Sequence, residues 1–307
     1  MLGLKTTMTL TAAFVSLGLA ACSPQAAAPA AKEASGSAVS VDVEKKEIVI
    51  GTSAGDFGDM VKDSIKPILE KQGYQVKLTE FNDYVTPNMA LAEGAVDVNV
   101  FQHKPYFDSF VAEHKLPLSM GFQVPTSSLG LYAGKLTALD QVKEGVKVAV
   151  PNDPSNFARA IVMLSELGWI RLNDNVNALQ ASKADIAENI KKVELIEMEA
   201  ANLPRARVDA DYAIINGNFV LSSGMKLTDA LYQEPSYAYV NWGAFRTADK
   251  DSKWAQDVIA AYESDEFKKY TFATYPGYKY PVQWKVAGKS GASEGSAEAL
   301  QAASATH

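Results

Sequence analysis

The segment VPNDPSNFARA combines turn residues, a proline and an arginine at the start of a predicted helix. Pro154 suits the first helical position, and Asn152 or Asp153 suits the cap before it. The free N–H groups of Ser155 to Phe157 would then face a cleft, where a helix N-terminus favours an anion. Arg159 lies about one turn into this helix, and helical side chains lean back toward the N-terminus. Its guanidinium could therefore bind the same anion through two parallel hydrogen bonds, a geometry that a carboxylate fits.

Spacing alone leaves a second interpretation open, in which Arg159 is a surface residue paired with Asp153 or Glu166. The segment AIINGNF poses a similar choice, because a strand ends there in Asn216 and Asn218. Asparagines at a strand end can donate and accept hydrogen bonds in a cleft, and they are also ordinary turn residues. These residues are candidates for a binding site without identifying its ligand.

The segment NVFQHKPYFDSF follows a strand and is predicted to place Phe101, His103 and Tyr106 in a loop at the mouth of a cleft. A single histidine is more often structural than a ligand contact. His114 and His307 do not stand at metal-ligand spacing from it, so the pattern favours no metal site.

Features typical of enzymes are missing from the sequence. It contains no serine or cysteine in a recognisable nucleophile elbow and no glycine-rich phosphate loop of the P-loop type. Glu93, predicted on a helix end, and Asp97, predicted on a strand, are interpreted as structural rather than as an acid–base pair. We therefore expect no enzymatic activity and no cofactor.

The N-terminal segment, residues 1–21, has the layout of a secretory signal peptide, with Lys5 before an apolar stretch and small residues at its end. The sequence LAAC resembles a bacterial lipobox, and Cys22 is the only cysteine in 307 residues. We expect Cys22 to be acylated, which would anchor the protein to a membrane.

Two stretches of the chain contain too few large apolar residues to build a core. Residues 22–44 are rich in Ala, Ser and Pro and are predicted to be a flexible tether, and residues 286–307 are predicted to be a disordered tail. About 240 residues between them are enough for one large or two medium domains. The formal net charge of −7 and the absence of a basic cluster argue against nucleic acid as a partner.

Strand and helix patterns alternate between these stretches, which indicates an α/β fold with parallel sheets. Two series of elements separate near residues 123–135, and a helical run at 254–270 could return to the first. We therefore predict one α/β domain from residues 45–125 and 243–285, a second from 126–242, and a ligand cleft between them. The predicted strands are EIVIGTS, YQVKLTEF, VDVNVF, VKVAVPND, VELIEME and DYAIING, and the predicted helices are 57–72 with Gly73 as its C-cap, NMALAEG, 154–167 and ANLPRARV.

Several long motifs resemble, in order, those of the methionine-binding lipoproteins, which are the substrate-binding components of methionine ABC importers. The motifs are FNDYVTPNMALAEGAVDVNVFQHKPY, PNDPSNFARA, VELIEMEAANLPRA, DYAIINGNF and EPSYAYVNW, within residues 81–242. The resemblance implies a two-domain periplasmic-binding-protein fold that closes around one amino acid. It does not extend to the Ala/Ser/Gly-rich tail after Trp284.

The resemblance also implies roles for individual residues. Arg159 would pair with the ligand carboxylate, and Asn216 and Asn241 would bind the amino-acid backbone. The remaining implied pocket residues are Asn218 and three that would line the slot for a thioether side chain, Tyr84, Phe101 and His103. Tyr106 and Trp242 would support them.

The implied partners are L-methionine, with D-methionine or related amino acids as alternatives, and the permease and ATPase of the importer. The implied location is the cell envelope of a Gram-negative bacterium, where a lipid-anchored protein is periplasmic or surface-exposed. Ser23 does not match the aspartate associated with inner-membrane retention. A surface lipoprotein that acts mainly as an adhesin or interaction protein is the alternative function, since an acylated cysteine and a tether would serve it equally well.

Overall fold

The structure is a computed structural model that describes residues 45–284. The predicted signal peptide, Cys22, the tether and the tail lie outside the described residues. The strands are β1 (Glu47–Ser53), β2 (Gln75–Phe81), β3 (Val98–His103), β4 (Leu118–Val124), β5 (Gly130–Ala133), β6 (Lys147–Pro151), β7 (Arg171–Leu172), β8 (Ile186–Glu188), β9 (Glu194–Met198), β10 (Tyr212–Ile215), β11 (Ala230–Gln233) and β12 (Asn241–Arg246).

The helices lie mostly where the periodicity predicts them. The predicted helix 57–72 is continuous, with a π-helical turn in its middle, and Gly73 after it has a φ of 93° that favours glycine. The helices are α1 (Asp56–Met60, Val61–Ile65 and Lys66–Lys71), α2 (Thr86–Ala92), α3 (Lys104–His114), α4 (Pro154–Glu166), α5 (Leu203–Ala206), α6 (Gly217–Ser222), α7 (Lys253–Glu263) and α8 (Asp265–Thr274), with short 3₁₀ turns at Leu139–Gln141, Lys183–Asp185, Ala200–Asn202 and Leu227–Asp229.

Two five-stranded sheets organise the molecule. Sheet 1 has the order β2-β1-β3-β12-β4, and sheet 2 has the order β11-β5-β10-β6-β9. In sheet 1, β1 runs parallel to β2 and β3, and in sheet 2, β6 runs parallel to β9 and β10. Ligands of open α/β sheets bind outside the carboxyl ends of such parallel strands.

Two sequence predictions need correction. The sheets are mixed rather than parallel, because β12 is antiparallel to β3 and β4, and β5 is antiparallel to β10 and β11. The antiparallel strands flank the segments where the chain leaves one sheet for the other. The predicted helical run 254–270 is two helices, because Ser264 between them has an extended backbone and caps the second through Phe267.

Each sheet has its own apolar core. The core of sheet 1 includes Ile48, Ile50 and Phe245, and that of sheet 2 includes Val148, Ile161 and Ile214, all fully buried. Within residues 45–284, every helix is too short or too polar to cross a lipid bilayer.

Candidate functional site

A pocket lies where carboxyl ends of parallel strands from both sheets meet. Residues at the end of β3 and Phe57 in the helix after β1 lie on one side, and residues that follow β6 and β10 form the other. The pocket brings together all seven binding residues expected from the sequence. They are Tyr84, Phe101, His103, Arg159, Asn216, Asn218 and Asn241.

Arg159 is a buried residue of this pocket, with 5% of its surface exposed. The second interpretation, a surface arginine paired with Asp153 or Glu166, is therefore wrong. Its two-bond fork is also already used within the chain, since Nε and Nη2 donate to the two carboxylate oxygens of Glu234 at 2.9 and 2.6 Å. The ring of Tyr239 lies 4.3 Å from the guanidinium carbon, which further fixes the arginine. Burial lowers the pKa of Arg159, but the neighbouring Glu234 outweighs that effect and raises the pKa above its usual value.

The start of α4 is capped as predicted by Asp153, with Pro154 in the first turn. One oxygen of the Asp153 carboxylate accepts hydrogen bonds from the backbone N–H of Asn156 at 3.0 Å and from the Ser155 hydroxyl at 2.9 Å. The N–H of Phe157 donates to the Asp153 carbonyl. The expectation that the N–H groups of Asn156 and Phe157 await an external anion is therefore wrong, because Asp153 accepts both of them.

Asn156 lies at the centre of the hydrogen bonds of the pocket and was not predicted as a site residue. It is 2% exposed, and its Oδ1 accepts from Arg159 Nη1 at 2.9 Å, from Asn216 Nδ2 at 2.9 Å and lies 3.2 Å from His103 Nε2. Its Nδ2 donates to both oxygens of Asp153. Its position three residues before Arg159, on the same helical face, is the signal that could have indicated it.

His103 occupies the pocket as a neutral ring. Its Nδ1 accepts the backbone N–H of Tyr106 at 3.2 Å, so Nε2 carries the proton and donates to Asn156. Burial, reinforced by the charge of Arg159, lowers the pKa of His103 to about 3. This histidine is also the N-cap of α3. Tyr106 therefore lies in a helix, and the predicted loop at the cleft mouth is wrong.

Aromatic rings form one wall of the pocket. The ring centroids of Tyr84 and Phe101 are 5.8 Å apart, and each lies 6.0 Å from Tyr106. The Tyr84 hydroxyl donates across the cleft to Asn218 Oδ1 at 2.6 Å, and the Tyr106 hydroxyl donates to the Tyr84 carbonyl at 2.6 Å. Trp242, expected as a support, lies in β12 opposite Gln102 and Gln123 and does not line the pocket.

The three asparagines differ in how fully they are bonded. Asn218 Nδ2 donates to Ser53 and to Ala54 across the cleft, and Asn241 Nδ2 donates to the Phe101 carbonyl at 2.7 Å. Asn216 Nδ2 is used by Asn156, but its Oδ1 is buried without a hydrogen-bond partner among the described residues. Such an acceptor costs about 1–3 kcal/mol unless something bonds it.

The acid–base pair considered above does not form. Glu93 is exposed, whereas Asp97 is buried, accepts the backbone N–H of Val49 at 2.9 Å and pairs with Arg246 at 3.2 Å. Asp97 therefore has the structural role expected of it. Within residues 45–284, no cluster of His, Cys, Asp or Glu has the arrangement needed to hold a metal ion.

Comparisons with known proteins place these features in a family. The model of the NlpA lipoproteins matches residues 48–283. The D-methionine-binding lipoprotein MetQ of Salmonella typhi is 36% identical over 227 residues, covering 73% of this chain and 83% of that protein.

Two solved structures share the fold. A nutrient-binding protein of Burkholderia cenocepacia bound to methionine is 38% identical, with a TM-score of 0.70 over 75% of this chain and 97% of that one. An ABC transporter periplasmic substrate-binding protein of Coxiella burnetii is 36% identical, with a TM-score of 0.69 over 74% of this chain and 96% of that one. These matches confirm the predicted two-domain periplasmic-binding-protein fold and the family resemblance. The chain belongs to the NlpA lipoprotein family.

Proposed function

We propose that the chain is the substrate-binding lipoprotein of an ABC importer and that it binds methionine in the pocket between its two sheets. The observation that carries the proposal is the combination of a buried arginine, a buried unpaired acceptor and an aromatic wall around one pocket. These groups match the carboxylate, the ammonium group and the apolar side chain of an amino acid. The relatives named for methionine binding support it.

Arg159 supplies the contact for the carboxylate. Three of its five N–H groups donate to Glu234 and Asn156, which leaves one on Nη1 and one on Nη2 without an acceptor in the described part of the chain. A carboxylate can accept both from the end of the guanidinium. The ligand would therefore meet an arginine that Glu234 and Asn156 already hold in place, so little side-chain entropy is lost on binding.

Asn216 supplies the contact for the ammonium group. Its Oδ1 is the buried acceptor that lacks a partner among the described residues, and it belongs to the pocket wall. An ammonium N–H that bonds this oxygen removes an existing cost of desolvation, which adds to affinity.

Tyr84, Phe101 and Tyr106 form the surface for the ligand side chain. A thioether sulfur packs well at a distance of about 5 Å from aromatic rings, whereas a charged side chain would be desolvated here without a partner. This wall favours methionine over amino acids with short or charged side chains.

The rest of the proposal concerns the cellular setting. The protein would be lipid-anchored through Cys22 in the envelope of a Gram-negative bacterium and would deliver methionine to a permease driven by an ATPase, with no catalytic role of its own. We retain 45–125 with 243–285, and 126–242, as the limits of the two domains. The named relatives support transport over the adhesin alternative.

The test is calorimetric titration of the full-length protein, first unfolded and refolded to release bound ligand, with L-methionine, D-methionine and alanine. We expect one site that prefers methionine. Asn216→Leu should weaken methionine binding at least about tenfold because its Oδ1 is lost, whereas Asn82→Leu, at an exposed position outside the pocket, should not. Failure of the refolded protein to bind either enantiomer would refute the proposal.

A further inference from the structure

A buried lysine lies behind the arginine of the pocket. Lys279 follows α8 and is 7% exposed, which is rare for a lysine. Its Nζ donates to the backbone carbonyls of Glu234 at 2.7 Å and Ser236 at 2.6 Å, and it lies 3.6 Å from the Glu234 carboxylate. Oε2 of Glu234 is the carboxylate oxygen nearest to this charge, and the same oxygen accepts from Arg159 Nη2.

The backbone around Lys279 is fixed to the pocket. Lys279 and Thr126 exchange two backbone hydrogen bonds of 2.9 and 3.0 Å, and Thr126 lines the pocket. The lysine thus belongs to the supporting layer of the site rather than to a free end of the chain.

The charges of this layer do not balance. Arg159 and Lys279 are both buried cations, and Glu234, also 7% exposed, is the one carboxylate among residues 45–284 that contacts both of them. The charges of Arg159 and Glu234 alone sum to zero, and Lys279 raises the net charge of the three side chains to +1. Buried charges are strongly unfavourable unless they are paired. A negative group of the ligand would pair with this excess positive charge.

We propose that Lys279 is a positioning residue that determines specificity: by compensating Glu234, it leaves Arg159 a net positive charge and makes the pocket select ligands with a free carboxylate. The inference rests on the proposed function, because it assigns the ligand carboxylate to Arg159. It adds that discrimination between an amino acid and its amide depends on a residue behind the pocket wall.

Other charged or titratable groups also act on this lysine. Burial lowers the pKa of Lys279 to about 8, with Glu234 and the more distant Glu166 opposing the shift and Arg159 adding to it. The ring of Tyr237 lies 6.0 Å from Nζ. The lysine is therefore mainly charged at pH 7 and loses its charge as the pH rises through 8, whereas an arginine in its place would stay charged.

The experiment compares methionine with methioninamide, which lacks the negative group, by calorimetry on the full-length protein at pH 7. We expect Lys279→Met to weaken methionine binding by roughly tenfold or more, because a buried charge acts strongly over short distances. Binding of methioninamide, a cation, should be unchanged or tighter. Lys279→Arg should keep the wild-type preference, and Lys192→Met, at an exposed ion pair with Glu144, is the control.

A double variant separates the charge effect from damage to the fold. Glu234→Gln combined with Lys279→Met restores one positive charge on Arg159, so it should recover the preference for methionine that Lys279→Met loses. If Lys279→Met does not fold, the wild type and Lys279→Arg are compared between pH 7 and 9, where only the wild type should lose discrimination as Lys279 deprotonates.

Three results would overturn the inference while leaving the proposed function intact. They are equal weakening of both ligands in Lys279→Met, an unchanged preference in that variant, and identical pH profiles for the wild type and Lys279→Arg. A wild type that binds no methionine would instead refute the proposed function itself.

Discussion

The neutral His103 should make the protein less stable in mild acid, and replacing it with glutamine should remove that effect. His103 is 4% exposed, and its pKa is lowered from 6.5 to about 3, mainly by burial. In the unfolded chain the ring takes up a proton as the pH falls below 6.5, whereas in the folded chain it does not until about pH 3. Stability is therefore full above pH 6.5 and is lost progressively as the pH falls from 6.5 to 3.

The size of the effect follows from this window. Each pKa unit corresponds to about 1.4 kcal/mol, so the 1.5 units between pH 6.5 and pH 5 amount to about 2 kcal/mol. Asp56 acts in the opposite sense. Burial raises its pKa to about 6, so its stabilising contribution is present below its unfolded value of 3.8 and is lost as the pH rises through 6. Between pH 8 and pH 5, protonation of Asp56 therefore adds about 1 kcal/mol of stability, which offsets part of the loss caused by His103.

The assay is urea unfolding of the wild type and of His103→Gln at pH 8, 7, 6 and 5. Glutamine keeps a donor at the position of Nε2, and the contribution of Asp56 is common to both proteins. The wild type should therefore lose about 2 kcal/mol more than the variant between pH 8 and pH 5. Equal losses in the two proteins, or an NMR titration of the His103 ring near pH 6.5, would refute the reasoning.

Three further predictions concern the pocket. Phe101→Ala should weaken methionine binding more than alanine binding, because the aromatic wall contacts only the longer side chain; calorimetry showing parallel losses would contradict this. Asn156→Leu leaves three buried donors without their acceptor and should lower the free energy of unfolding by about 2–4 kcal/mol in urea titrations, so a change below about 1 kcal/mol would count against its central role. Gly217→Ala places a methyl group against the Ser127 side chain and should lower the melting temperature. An unchanged melting temperature would contradict this, because Ser127 would then move aside without loss of stability.

Local features of the fold were predictable because short-range physics determines them. The strand Glu47–Ser53 follows from its β-branched residues, and the start of α4 follows from Asp153 and Pro154. The helix after His103 was missed although Pro105 in its first turn is a helix-start signal, because the polar residues around it were interpreted as a loop.

The environment of Arg159 could not be predicted from spacing. Its partner Glu234 is 75 residues away, and Lys279 lies 45 residues beyond that, so only the folded chain brings the three charges together. The resemblance to a family supplied the pocket residues, but the layer behind them depends on long-range contacts that no local pattern encodes.

The place of β12 in sheet 1 has a consequence for how the chain acquires its structure. This strand follows every element of sheet 2 in the sequence, yet it lies between β3 and β4, with Asn241 opposite both His103 and Val124. Closing so long a loop costs entropy before its contacts form, and non-local pairing slows folding. All five strands of sheet 2 lie between residues 130 and 233, so sheet 2 can fold as soon as that stretch is complete. Sheet 1 must wait for a later strand, and we therefore expect refolding in two kinetic phases, with methionine binding appearing only in the slower one.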